Sequence, residues 1–143
     1  MKIAICGSLD FTTEMLEMKN SLEKLGHEAR MPFTAVKIIN GEITLEQIKN
    51  SKDAGKMFEL SIKNNAIRKW FSVIKESEAI LVLNYDKKGI KNYIGGNTFL
   101  EIGFAHILDK KKFILNPLPE LSYVDEIYAM ETTVLNGDLS KID

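Results

Sequence analysis

Five consecutive apolar residues, Ala79 to Leu83 (AILVL), constrain the fold of this chain more than any other stretch. A strand with water on one face alternates apolar and polar side chains; a run that is apolar at every position is covered on both faces, as in the middle of a parallel sheet. Parallel neighbours need a crossover connection, normally a helix. One such central strand therefore predicts helices on both faces of a sheet and an alternating order of strands and helices along the chain.

The flanking sequence supplies that order. Ile3 to Cys6 is a second apolar run, ended by Gly7-Ser8, and Asp10 or Thr12 can cap a helix carrying Met15, Leu16, Leu22 and Leu25 on its apolar face. Gly26 stops that helix, and His27 to Met31 read as a strand before Pro32, completing a right-handed βαβ unit. Residues 32 to 56 are the least regular part, with a short helix predicted from Thr44 to Lys49; a lid over the sheet is one reading of them. From Met57 to Glu76 the apolar residues fall at helical spacing, predicting one long amphipathic helix. A polar loop, Asn84 to Gly96, leads to a helix from Thr98 to Leu108, then a strand from Lys112 to Leu115, a short helix around Tyr123 to Met130 and a last strand near Thr132 to Leu135. This predicts one open, doubly wound, mostly parallel five-stranded α/β sheet, flavodoxin- or Rossmann-like, over residues 1 to 143.

Composition closes off several functions. Nineteen basic and twenty acidic side chains leave a net charge of −1, so no field gathers nucleic acid polymer or an anionic membrane surface. The one cysteine, Cys6, cannot form an internal disulfide, no apolar run approaches 18 residues, and MKIAICGS is too short for a secretory core; a cytoplasmic protein is expected. His27 and His106 share no metal-ligand spacing with Cys6 or a carboxylate pair, so no metal site is predicted. The Lys110 to Lys112 run reads as compensation for a helix C-terminal dipole.

In doubly wound sheets, ligands bind beyond the carboxyl ends of the strands. Four loops qualify here: Gly7 to Phe11, Met31 to Val36, Asn84 to Thr98, and Asn116 to Leu121. Gly7-Ser8 is a turn at a helix start suited either to an anion or to nothing beyond the turn itself. It lacks the three spaced glycines and the acid of a dinucleotide fingerprint, which disfavours a Rossmann dehydrogenase. Asn84 and Tyr85 follow the central strand and are of the right type to bond and stack on a base or sugar, or form an ordinary strand-end turn. In Gly95-Gly96-Asn97-Thr98-Phe99-Leu100-Glu101, the glycines admit close approach of a ligand. Thr98 and Glu101 have the spacing of a capping box, which would place Glu101 in the first helical turn as either a structural cap or a site acid.

The segments GSLDF, SEAILVLN, GGNTFLEIGFAHILDKK and FILNP, in this order over most of the chain, resemble the nucleoside 2-deoxyribosyltransferase family, which includes the 2′-deoxynucleoside 5′-phosphate N-hydrolases. EIGFA is the most specific part. The resemblance implies that Glu101 is a nucleophile attacking the anomeric carbon of a nucleoside or nucleotide sugar. It also implies binding by Gly7, Ser8, Asn84, Tyr85, Gly95, Gly96, Asn97, Thr98 and Asn116, no cofactor, and a homodimer formed through helices such as the one carrying Trp70-Phe71. Some positions depart from the family. Gly95 stands where a family aspartate would be, six residues before the nucleophile, Asn97 replaces a glycine, and Trp70 falls where the family has a second acid. Either Asp86, Asn65 or another loop residue supplies the missing function, or the chain keeps the pocket as a non-catalytic nucleotide-binding or regulatory module. A phosphoribohydrolase of the lysine-decarboxylase-like group is a further reading of GGNTFLE.

Overall fold

A computed structural model describes all 143 residues. The strands are β1 (Lys2–Gly7), β2 (Glu28–Arg30), β3 (Ala79–Leu83), β4 (Lys111–Ile114) and β5 (Thr133–Val134), and they form one sheet in the order β2-β1-β3-β4-β5. All four pairings are parallel. This is the flavodoxin-like doubly wound order, in which the strands added after β1 go first to one side and then to the other, giving a switch point between β1 and β3. The helices are α1 (Thr12–Lys24), α2 (Phe33–Ile39), α3 (Leu45–Asp53), α4 (Met57–Lys63), α5 (Ala66–Glu76), α6 (Gly96–Ile107) and α7 (Val124–Ala129).

Successive side chains of a strand point to opposite faces, and this alone divides the core. Ile3, Ile5, Leu81 and Leu83 face Met15 and Leu22 of α1. Ala4, Cys6, Ile80 and Val82 face Trp70, Val73 and Ile74 of α5, Ile102 and Ala105 of α6, and Ile127 of α7. Every residue of β3 is buried, as the AILVL run requires of a strand roofed on both sides.

Three elements differ from the sequence expectation. The long helix over 57–76 is two helices, because Asn65 takes a left-handed conformation (φ 50°) and restarts the chain as α5; Asn is one of the few side chains that tolerates that region. Residues 32–56 hold two helices, with Thr44 and Gln47 forming a reciprocal capping box at the start of α3. Finally, α6 begins at Gly96 with Gly95 as its cap, so Thr98 is inside the first turn and Glu101 lies in the second. The capping box expected between Thr98 and Glu101 is absent, which frees the Glu101 carboxyl for the sheet side of the helix.

Candidate functional site

α5 runs back toward the start of β3, and α6 starts from the loop beyond its end. The first halves of both helices therefore lie at the carboxyl rim of the sheet, on the face that also carries the Cys6 side chain of β1. Between them and the loops after β1 and β2 is a cleft of about 140 Å³. Gly7 and Leu9 form its floor, Pro32, Phe33 and Thr34 one side, Met57 and Ser61 of α4 and Ile67 and Trp70 of α5 another, and Asn97, Leu100, Glu101 and Phe104 of α6 the last.

Glu101 is the only charged residue in that wall. It is 9% exposed, and its Oε2 has no hydrogen-bond partner. Burial raises its carboxyl from the ordinary 4.5 to about 8, while the Cys6 thiol beside it acts weakly in the opposite sense. Cys6, fully buried, is pushed well above the ordinary thiol range, first by burial and then by Glu101. It does not line the cleft and is an inert core side chain rather than a nucleophile. Trp70 is 7% exposed and its Nε1 also lacks a partner. Both side chains act on the buried Cys6 thiol behind the cleft, Glu101 raising and Trp70 lowering its pKa, and two buried polar atoms without a partner of ordinary hydrogen-bond geometry are uncommon in a folded protein.

The remaining predicted residues are placed in five different ways. Gly7 and Asn97 line the cleft with Glu101. A side chain at Gly7 would meet the Leu83 carbonyl oxygen at 2.9 Å, so glycine is what lets β1 turn out against β3. Gly95 and Gly96 cap and begin α6, and Thr98 is buried within its first turn. Asn84 and Asn116 bond to each other instead of facing the cleft. The Asn84 amide donates to the carbonyls of Asn116 and Pro117 and accepts from the Asn116 N–H at 2.8 Å, and the Asn116 amide donates back to the Asn84 carbonyl. Tyr85 packs edge-on against Phe11 and the α1 side of the core, where burial raises its phenol above the usual range. The Ser8 hydroxyl accepts from Asp10 N–H and from Lys87 Nζ.

Of the four candidate loops, those after β1, β2 and β3 reach the cleft and Asn116 to Leu121 does not. Asp86 is exposed and accepts from Asn92 N–H, and Asn65 is exposed at the start of α5, so neither adds an acid to the cleft wall. Trp70, expected to be exposed for pairing with a second copy, instead closes the cleft. The exposed apolar side chains sit elsewhere, Phe33 and Val36 on α2, Phe58 and Ile62 on α4 and Ile107 on α6. The contribution of Pro32, Phe33 and Thr34 falls in the Met31 to Val36 loop expected at the rim, whereas that of Met57 and Ser61 from α4 was not foreseen, because residues 57–63 carry no motif. No group of His, Cys, Asp and Glu side chains is arranged to hold a metal ion, and no helix is long and apolar enough to cross a membrane.

No protein-family model matches the chain, and no curated protein matches it. Among solved structures it is similar to the Clostridium botulinum CMP N-glycosidase BcmB, with a TM-score of 0.50 and 15% identity over 94% of this chain and 84% of that one. At that identity the likeness is one of fold: a five-stranded parallel sheet between helices.

Proposed function

We propose that this chain cleaves or transfers at the N-glycosidic bond of a nucleoside, deoxynucleoside or nucleoside 5′-monophosphate, with Glu101 as the nucleophile. The observation that carries the reading is the single buried carboxyl with an unpaired oxygen in a cleft at the switch point of the sheet. The apolar wall from Phe33, Ile67, Trp70 and Phe104 suits a base or sugar ring. The solved neighbour is by its name an N-glycosidase acting on a nucleotide, which supports the same reaction class.

The chemistry follows from the environment. A carboxylate beside the anomeric carbon stabilises an oxocarbenium-like transition state and bonds to that carbon as the base departs with the electron pair; water or a free acceptor base then attacks that carbon and releases the carboxylate. With its pKa near 8, unliganded Glu101 is mostly protonated at neutral pH. The attacking form therefore grows as pH rises toward 8, and a polarised sugar or a cationic base in the cleft would draw the proton off. Trp70 Nε1, the other unpaired atom, is a donor fit for a ring oxygen or a base carbonyl. No second acid lines the cleft, so the leaving base takes its proton from solvent or leaves as an already protonated heterocycle.

The lone carboxyl also favours a second reading, a non-catalytic nucleotide-binding module. A panel of ribo- and deoxyribonucleosides and their 5′-monophosphates, followed for free base by chromatography, separates the two. Base release lost in Glu101→Gln but kept in Glu120→Gln, whose residue is exposed and outside the cleft, is the expected result. Binding without turnover at high protein concentration overturns the glycosidic reading.

A further inference from the structure

The polar groups of the cleft wall favour one sign of ligand charge. Glu101 is its only charged residue, and no lysine, arginine or histidine lines it. The other polar side chains there are the hydroxyls of Thr34 and Ser61, the amide of Asn97 and the indole of Trp70, none of them an acid near neutral pH. Two acids of the neighbouring loops lie outside the wall and are engaged: Asp10 pairs with Lys87 at 3.0 Å, and Asp86 accepts from Asn92 N–H. Much of the remaining wall is aromatic. The rings of Phe33 and Trp70 stand 6.0 Å apart at 84° and form a corner, and Phe104, in the α6 wall, stands edge-on to Phe71 at 5.1 Å. Aromatic faces carry the negative part of the ring quadrupole and attract cations laid on them. Carboxyl and rings therefore both favour a positive ligand.

The missing proton donor points the same way. When a neutral base leaves a sugar, the electron pair of the C1′–N bond makes it an anion unless an acid protonates it. An anion formed in an apolar cleft beside a carboxyl is costly. A base with a fixed positive charge, such as a pyridinium or an N7-alkylated purine, takes up the same pair and becomes neutral. It needs no acid.

We infer that this cleft selects nucleosides whose base carries a fixed positive charge, and that cleavage discharges the base instead of protonating it. The reaction rests on the glycosidic reading above; the charge selection rests on the wall itself. In the step, a Glu101 carboxylate oxygen bonds to C1′, the C1′–N pair returns to the ring, and the charges of anion and cation cancel. Water then attacks C1′, frees the carboxylate and gives one proton to solvent. Burial keeps unliganded Glu101 protonated, with a pKa of about 8, and of the titratable groups packed around it only Cys6 of β1 acts on it. A cation entering the cleft opposes that effect of burial. The substrate thereby ionises its own nucleophile, which a neutral nucleoside does not do.

Calorimetric titration of the full chain with 1-methylnicotinamide, a cation with no glycosidic bond, and with neutral nicotinamide reads the selection without turnover. The cation is expected to bind at least about fivefold tighter at pH 7. Titrations in buffers of different ionisation enthalpy are expected to show about half to one proton released as it binds. Its affinity is expected to rise from pH 6 to 8 while that of nicotinamide stays level. Glu101→Gln is expected to abolish the proton release and the pH trend. Phe33→Leu, at a half-exposed position where folding is not at stake, is expected to cut the preference for the cation by about half or more. Equal affinity for the two probes, or a preference and pH trend untouched by Glu101→Gln, overturns the inference. Turnover is read with nicotinamide riboside beside the neutral nucleosides, each as its rate relative to buffer alone, because charged nucleosides hydrolyse faster unaided. Nicotinamide riboside is expected to show the largest acceleration; a larger one for a neutral nucleoside overturns the inference as well. The failures are separable. Neutral nucleosides cleaved through Glu101 with no preference for the cation count against the charge selection alone; a preferred cation with no nucleoside cleaved counts against the glycosidic reading alone.

Discussion

The protonation state of Glu101 can be measured through folding, independently of any reaction. In the unfolded chain its carboxyl titrates near the ordinary 4.5, and in the folded chain near 8. At 1.36 kcal/mol per pKa unit, burying the charged form costs about 5 kcal/mol. Because the folded pKa is raised, the native state binds more protons than the unfolded state throughout that window, so stability falls as pH rises through it. The contribution is intact below pH 4.5, declines by about 1.4 kcal/mol per pH unit, and levels off above 8. Between pH 5 and 7 this one group removes about 2.5 kcal/mol. Glu101→Gln, which cannot ionise, removes that slope. Urea melts of both proteins at pH 5, 6, 7 and 8 give two stability curves, and titration of every other group cancels in their difference. The difference is expected to shift in favour of the glutamine variant by about 2.5 kcal/mol from pH 5 to 7. Parallel curves would refute the buried, unpaired state of Glu101 and with it the reason for calling the cleft a site.

Two further outcomes follow from the same geometry. Asn84→Ala removes the buried amide that bonds to Asn116 and Pro117 and leaves the Asn116 N–H without its acceptor, so it is expected to cost about 3 kcal/mol in chemical denaturation. Trp70→Phe gives up an N–H that has no partner in the protein; stability is expected to change by less than about 1 kcal/mol, while affinity for the cleft ligand, measured by calorimetry, drops severalfold.

The sheet was legible because its signal is local. AILVL and the Ile3 to Cys6 run read as doubly covered strands, and Gly7, Gly26 and Pro117 marked the ends of β1, α1 and β4. The break at Asn65 was not legible. The apolar spacing of α4 and α5 is continuous across it, and only the backbone's left-handed excursion separates the two helices. The start of α6 was misread for a related reason: Thr98 and Glu101 satisfy a capping spacing, but Gly95 enters the helix three residues earlier and leaves Thr98 inside it. Glu101 was found in the sequence through its motif, whereas its open oxygen and its neighbours Trp70 and Phe33 depend on how three distant segments pack. The mutual grip of Asn84 and Asn116 was equally out of reach, since 32 residues separate two ordinary loop asparagines.

That grip has a mechanical consequence. The reciprocal amide bonds of Asn84 and Asn116, with the Tyr123 hydroxyl donating to the Ile94 carbonyl, strap the segments after β3 and β4 into one stiff block that carries Lys87, Lys88 and the start of α6. The facing side is built otherwise: α4 buries no residue, α2 buries only Ala35, and α3 only Ile48. Such lightly anchored helices are the ones that give way first. On the proposed function, the crevice is expected to act as a vice with one fixed jaw and one sprung jaw, a ligand docking against the first while the second yields to admit it, so that variation in what this fold accepts is written in residues 33–63 rather than around Glu101.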